Sequence, residues 1–150
     1  MAARISDMQS GNLLFPRENA FEKLDGSPKM SCVLRVSAAK LGVTLTKLSL
    51  RPYRIDGEIG HFCVSEAEFS NLAGQIHDAI SFLRANKADL MFLMHDANAK
   101  GELDFALEMR DAAFQSVRLP SELVCLAGEL RLALTLSHYP VSENCDAERR

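Results

Sequence analysis

The sequence SEAEFSNLAGQIHDAISFLRAN at residues 65–86 predicts the central helix of this protein. Its apolar side chains recur every three or four residues, a spacing that fits one face of a helix and excludes a strand. These side chains are Phe69, Leu72, Ala73, Ile76, Ala79, Ile80 and Leu83. Ser65 and Glu68 match a capping box, in which each side chain binds the other residue's backbone N–H group, so the helix is predicted to begin at Ser65. Asn86 is predicted to end it in the left-handed conformation.

The opposite side of this helix is polar and is predicted to face solvent. Its side chains are Ser70, Gln75, His77, Asp78, Ser81 and Arg84. Gly74 lies off the apolar stripe and is expected to cost the helix up to about 1 kcal/mol relative to alanine. A helix with one apolar side needs a hydrophobic surface to lie on, and the rest of the chain is expected to supply it.

Size and composition indicate one domain with its own core, since the chain has 150 residues of which 47% are hydrophobic and 25% charged. The net charge of −3 gives no electrostatic argument for binding nucleic acid or an anionic membrane. No apolar run approaches the length of a membrane span, and the N-terminus lacks the apolar region of a secretion signal. We therefore predict neither a nucleic-acid partner nor a membrane partner.

The cysteines point to a reducing compartment. Cys32, Cys63, Cys125 and Cys145 lie far apart in the sequence and form no CxxC pair. Such isolated cysteines are typical of free thiols rather than of a disulfide framework. The predicted location is the cytoplasm.

The chain divides into three parts by composition. Residues 1–29 are polar and contain glycines and prolines, and they are predicted to form a flexible N-terminal extension. Residues 30–140 are predicted to form a single α+β domain, and residues 141–150 a flexible tail. Met30 stands immediately before the first strong strand, so the domain could begin there.

Most other elements are predicted as strands, because they are rich in β-branched and apolar residues that alternate or run continuously. They are residues 31–37, 51–55, 61–64, 90–94, 102–110 and 132–136, with 114–119 as a further short strand or an irregular edge. The continuous run Leu90–Met94 is predicted to be a fully buried strand. Asp56-Gly57 predicts a tight turn, and short helices are predicted near 43–48 and 121–130.

This order of elements predicts an α+β fold. The predicted architecture is a two-layer sandwich: a mostly antiparallel sheet with one long and one short helix on one face, a variant of the split βαβ or ferredoxin-like theme. The strands on either side of the long helix are expected to be joined by a right-handed crossover if they are parallel.

Residues 31–140 resemble an uncharacterised bacterial family, domain of unknown function 4279, or a close relative of it. The resemblance is carried by SCVLRVS at 31–37, LSLRPYRIDGE at 48–58, VSEAEF through AISFL at 64–83, and LPSELVCLAGELRLALTLSHYP at 119–140. It implies a small α+β domain and favours Met30 as the native start. It implies no activity, because no catalytic residues are assigned to the family. The segment after Arg54 is shorter here than expected for that family.

Six residues are candidates for ligand binding. The first group is an arginine patch, Arg35, Arg51, Tyr53 and Arg54, on strands that are predicted to be neighbours; guanidinium groups suit carboxylates or phosphates. The second is the pair His95 and Asp96 at a predicted strand end, where loops often carry function. A solvated strand face and an ordinary surface turn explain the same residues.

No catalytic residue, metal site or cofactor is predicted. His61 and Cys63 lie on one face of a strand, but a zinc site needs further ligands and none lies at a supporting spacing. Asp104 and Glu108 lie about 13 Å apart along one strand, beyond the separation usual for paired glycosidase carboxylates. The chain contains no glycine-rich phosphate loop.

The predicted function is a non-enzymatic protein-interaction module, which would bind a protein partner, or a second copy, through the exposed sheet face or an edge strand. An immunity-type role is one version of this hypothesis. The alternative is a ligand-binding domain or hydrolase that uses His95, Asp96 and the arginine patch. Metal binding by His61 and Cys63 is a third interpretation.

Overall fold

The structure, a computed structural model, describes residues 29–110 and 113–140, along which the chain forms five strands and four helices. The strands are β1 (Cys32–Ser37), β2 (Arg54–Asp56), β3 (Ile59–Ser65), β4 (Lys100–Met109) and β5 (Leu132–Pro140). The helices are α1 (Leu41–Leu45), α2 (Leu72–Ala85), α3 (Lys87–Leu93) and α4 (Ser121–Glu129). The predicted α+β class is confirmed, with four helices in the described residues rather than the three predicted. The predicted N-terminal extension (1–29) and tail (141–150) lie almost wholly outside the described ranges, so the structure does not test them or the predicted start at Met30.

The five strands form one sheet in the order β2-β3-β1-β4-β5. β1 is antiparallel to both β3 and β4, so these two strands are parallel to each other with β1 between them. The chain connects them through α2 and α3, which makes the predicted split βαβ arrangement. β2 pairs antiparallel with β3, and β5 pairs parallel with β4, so the sheet is mostly antiparallel as predicted.

One face of the sheet holds the core. Leu34 of β1 stands between Phe62 of β3 and Leu103 of β4, and all three side chains are buried. All four helices add side chains to the same cluster, among them Leu41, Leu83, Leu90 and Leu123. Burying each such side chain is worth about 1.5–3 kcal/mol. The opposite face, which we call the open face, carries the alternate residues of each strand.

The N-cap of the central helix is Asn71, six residues after the Ser65 cap that the sequence pattern predicts. Ser65 is the last residue of β3, and α2 starts at Leu72 after an Asn71 cap whose side chain accepts a hydrogen bond from the Gly74 N–H at 2.9 Å. A Cβ atom on residue 74 would lie 2.6 Å from the Asn71 side chain. Gly74 therefore leaves room for the cap that starts the helix, which explains a glycine inside it.

Two residues assigned to the solvent side of α2 are engaged with the sheet. Gln75 is fully buried, and its side-chain amide donates to the Ala106 carbonyl oxygen at 2.8 Å. The Ser65 hydroxyl donates to the Asp78 carboxylate at 2.6 Å. An irregularity between β1 and β3 makes this possible, because it pairs Ser65 with Cys32 and turns Ser65 toward the helices. The prediction that the two side chains face solvent is therefore wrong for Gln75 and incomplete for Asp78.

The run predicted as a buried strand at 90–94 is helical. α3 buries Leu90, Leu93 and the following Met94, while Met91 and Phe92 are exposed. A short apolar run does not distinguish a buried strand from a helix. The preceding residue, Asn86, has φ −107°, so the predicted left-handed end of the long helix is wrong, and a second helix follows at once.

The remaining local predictions have mixed outcomes. The Asp56-Gly57 turn is confirmed, with Gly57 at φ 59°, a conformation that favours glycine. The predicted strand at 51–55 contracts to β2, and residues 113–120 carry no strand. The outer strand β2 is thus very short.

Candidate functional site

Charged side chains form a row across the open face. The strand register aligns Arg54 of β2 with His61 of β3, His61 with Arg35 of β1, and Arg35 with Glu102 of β4. Residues directly opposite one another on neighbouring strands share a face and interact. The row therefore places predicted and unpredicted polar residues together on one surface.

A five-residue network, which we call the Arg35 cluster, occupies the centre of this face. It consists of Arg35, Glu102, Asp104, Thr135 and Ser137. The Arg35 guanidinium lies 3.0 Å from the Asp104 carboxylate and 3.9 Å from that of Glu102. The hydroxyl of Thr135 donates to Glu102 at 2.5 Å, and the hydroxyl of Ser137 to Asp104 at 2.7 Å. The cluster thus joins β1, β4 and β5.

The charges of the Arg35 cluster are largely withdrawn from water. The side chains of Arg35, Glu102 and Asp104 are 24%, 17% and 13% exposed. One positive and two negative charges leave the cluster with a net charge of −1. An anionic ligand would therefore have to displace two carboxylates from Arg35, which makes the cluster a poor anion site.

A second polar group lies at the β2 end of the row. The Asp56 carboxylate is 3.0 Å from His61 Nε2 and accepts a hydrogen bond from Arg54 Nε at 2.7 Å. The hydrogen bond from Arg54 holds the pKa of Asp56 below its usual range. The Tyr53 ring lies beside the His61 ring, with centroids 6.1 Å apart. Asp56 therefore stays ionised and offers His61 a carboxylate partner.

The four members of the arginine patch take different positions. Arg35 and Arg54 are on the open face, on either side of His61, and Tyr53 contacts His61. Arg51 instead donates hydrogen bonds to backbone carbonyls at the end of α1 and in the loop after it, those of Leu45, Leu48 and Leu50. Its guanidinium group is thus engaged with the backbone of that segment.

His95 and Asp96 lie on the exposed loop between α3 and β4. The Asp96 carboxylate accepts from the Asn98 N–H at 2.8 Å, a turn-forming contact. The Asp96 carbonyl accepts from the Arg131 guanidinium at 3.2 Å. The contacts of Asp96 therefore lie within its own loop and with Arg131, the residue before β5. Arg35, in contrast, contacts residues of β4.

His61 and Cys63 both project from the open face, as their spacing predicts. Burial raises the pKa of the Cys63 thiol, and the negative charge of Glu66 adds to this effect. The thiol is therefore protonated at neutral pH, whereas metal binding and nucleophilic attack use the thiolate. Within residues 29–110 and 113–140, no three His, Cys, Asp or Glu side chains are grouped so that they could hold a metal ion.

These environments predict a clear order of thiol reactivity. In a Cys145→Ser background, an aromatic disulfide reagent at mildly alkaline pH should modify the exposed Cys125 first and Cys63 more slowly. Cys32 should react only after unfolding, because burial is complete and raises its pKa well above the usual range. The measurement is the rate of thiol release with and without urea. Labelling of folded Cys32 as fast as Cys125 would contradict the described core.

The sheet has two unlike edges. β2 is three residues long and carries Arg54 and Asp56, features that discourage pairing with another chain. β5 is nine residues long, contains no Asp, Glu, Lys or Arg, and pairs on its inner side with β4. The strand order, which the sequence does not reveal, makes this uncharged strand an edge. β5 is therefore the part of the described surface best suited to backbone pairing.

Ion pairs fix the orientation of α4 beside this edge. Glu122 pairs with Arg84 of α2, and Glu129 pairs with Lys87 of α3. This side of α4 therefore points toward α2. Because α2 packs on β3 and β4, whereas α4 packs on β5, the opposite side of α4 points beyond the edge of the sheet.

The outward side of α4 carries Val124 and Gly128. Leu123 and Ala127 are buried against the sheet, and successive helix residues are about 100° apart. Val124 and Gly128 therefore lie on the side away from α2. Val124 is 48% exposed, and a Cβ atom on residue 128 would meet nothing within 4 Å. We use the term edge surface for Val124, Gly128 and the outer side of β5 together.

A cavity of about 150 Å³ lies where β4 ends, lined in part by Phe69, Leu107, Arg110 and Val117. Small-molecule sites usually measure about 300–1,000 Å³. This cavity is therefore small for an organic substrate. None of the five residues of the Arg35 cluster lines this cavity.

Comparison with known proteins found no matching family model, no matching curated protein and no matching solved structure. The resemblance to domain of unknown function 4279 therefore stays a prediction. None of the helices in the described ranges is long and apolar enough to cross a membrane.

Proposed function

We propose that this protein is a non-enzymatic protein-interaction module that binds its partner as an added strand on β5. The observation that carries this proposal is a nine-residue outer strand without acidic or basic side chains other than His138. Proteins normally protect such an edge with charge, proline, a bulge or a short strand. Apart from Pro140 at its end, β5 has none of these features. Such an edge offers the backbone hydrogen bonds by which extended partners dock.

The Arg35 cluster supports this role by holding β5 in place. Thr135 and Ser137 of β5 bind carboxylates of β4, which Arg35 of β1 holds in turn. A rigid edge loses little conformational entropy when a partner pairs with it. We therefore interpret the polar contacts of the Arg35 cluster as contacts that hold β5 in position for docking.

The alternative, a ligand-binding domain or hydrolase using His95, Asp96 and the arginine patch, has less support. Asp104 neutralises Arg35, Asp56 neutralises Arg54, and Arg51 binds backbone carbonyls. The described cavity is small. An immunity-type protein that neutralises an effector is one form of the interaction role.

We further propose that the protein works in the bacterial cytoplasm. Among the described residues Cys32, Cys63 and Cys125 are free thiols, which suit a reducing compartment. The bacterial origin follows from the family resemblance alone. Fractionation of the native host would test the location.

The interaction role is tested by blocking the edge. The double variant Ala133→Lys/His138→Lys puts charge at two exposed β5 positions, one of them beside Glu102, so folding should be preserved. Ser81→Lys/Ala85→Lys on exposed positions of α2 is the matched control. We expect wild type and control to capture the same partner from the native host and the edge variant to lose it. Binding that the edge variant retains, or no partner at all including a second copy, would reject the role.

A further inference from the structure

We infer that the partner of the edge surface is a second copy of this chain, paired antiparallel through β5 about a two-fold axis. This inference rests on the proposed function and names its partner. In such a dimer the two sheets form one continuous sheet of ten strands. Two-fold homodimers are the commonest closed assemblies, and each copy contributes the same patch.

Charge favours a second copy at this place. Each chain has a net charge of −3, so two copies repel one another weakly overall. Of the two edge strands, β5 carries no acidic or basic side chain besides His138, whereas β2 carries Arg54 and Asp56. Two copies of β5 can therefore lie side by side without opposing like charges, which are destabilising in cross-strand pairs.

The alternation of β5 makes it complementary to itself. Leu134 and Leu136 face the helix layer, while Thr135 and Ser137 face the open side and bind carboxylates of β4. A two-fold axis perpendicular to the sheet keeps each face on its own side. Leucines then meet leucines above the sheet, and hydroxyls that already have partners meet below it.

The same axis brings the two α4 helices together. Both helix layers lie on one side of the joined sheet, and Val124 and Gly128 of each copy point across the boundary. Gly128 has no side chain to hold the helices apart, and half-exposed Val124 offers apolar surface to bury. A strand of nine residues spans about 30 Å. The strand and the helix thus supply one continuous interface, which a short extended peptide would only half cover.

Sedimentation equilibrium in reductant tests the dimer, with reductant preventing disulfide formation through exposed Cys125. We expect wild type and the Ser81→Lys/Ala85→Lys control to dimerise at micromolar concentration. Ala133→Lys/His138→Lys and, separately, Val124→Lys should raise the dimer dissociation constant at least tenfold. Circular dichroism melting checks that each variant folds. Hydrogen exchange should show the β5 amides that point away from β4 protected at high but not at low protein concentration.

The outcomes separate the dimer from the general interaction role. A dimer that both edge variants leave intact places self-association elsewhere and overturns the inference. A monomer at all concentrations, whose outward-facing β5 amides become protected only when a purified host partner is added, overturns the dimer and leaves the interaction role standing. A monomer whose outward-facing β5 amides are protected under no condition overturns both.

Discussion

Replacing Leu93 with alanine is expected to lower the free energy of unfolding by about 2–5 kcal/mol, because the side chain is 2% exposed and its removal leaves a cavity in the core. Replacing its neighbour Phe92 with alanine should change that free energy by less than about 1 kcal/mol, although phenylalanine is larger, because Phe92 is 53% exposed. Urea unfolding followed by circular dichroism measures both. The pair distinguishes helix α3 from the fully buried strand that the sequence pattern predicts.

A fully buried strand would give the opposite result for Phe92. Both faces of such a strand are covered, so Phe92→Ala would cost about 3–5 kcal/mol, as large buried aromatics do. Equal and large losses at both positions would therefore contradict α3. The dependence on urea concentration should be the same in all three proteins, which shows that the stability and not the unfolded state has changed.

Secondary structure is predicted best from the sequence where the apolar residues recur with a single period. Leu103, Phe105 and Leu107 alternate with residues that are polar except for Ala106, and β4 is found where this pattern indicates a strand. In the run at 90–94 every residue is apolar, so the pattern has no period to detect. The choice between strand and helix depends on neighbours such as Asp89, whose carboxylate binds the backbone N–H groups of Ser49 and Leu50 at 2.9 Å. Those contacts join segments about forty residues apart and leave no local signal.

The helix start shows how a strong local motif can fail. Ser65 and Glu68 have capping-box spacing, yet Ser65 pairs in the sheet with β1 and donates to Asp78. The backbone of Ser65 is used in sheet pairing, so it does not adopt the position of a helix cap. Asn71 caps the helix instead, and the sequence signal for this cap is Gly74, three residues further on, which leaves room for the Asn71 side chain. Tertiary pairing overrides a local preference worth about 1 kcal/mol.

The candidate site was predictable only in part. Alternation in β1 correctly predicts that Arg35 lies away from Leu34, on the face without helices. It does not predict that Glu102 and Asp104 are its partners, because that depends on β4 being next to β1. The edge position of β5 has the same cause: a strand's place in the sheet is a property of the whole chain. Neither the Arg35 cluster nor the edge surface therefore has a signature in the sequence.

Replacing Arg35 with alanine is expected to lower the free energy of unfolding by about 3 kcal/mol. The change leaves Glu102 and Asp104 close together without their cation, in surroundings where their side chains are 17% and 13% exposed. Removing one member of a buried ion pair costs about 3–5 kcal/mol, and the 24% exposure of Arg35 places this pair at the lower end. Arg54→Ala is the control and should cost much less, because Arg54 and Asp56 are 39% and 45% exposed and such exposed pairs contribute little to stability.

A double-mutant cycle shows whether the cost arises from the ion pair. Asp104→Ala removes the nearer carboxylate, so Arg35→Ala should cost less in that background, with a coupling energy of about 1–3 kcal/mol. Additive losses would mean that Arg35 stabilises the sheet through its aliphatic stem alone. Because Thr135 and Ser137 attach the carboxylates to β5, Arg35→Ala should also speed hydrogen exchange of the β5 amides that face β4, while Arg54→Ala leaves them unchanged. Loss of stability without faster exchange in β5 would show that the cluster does not brace the docking edge.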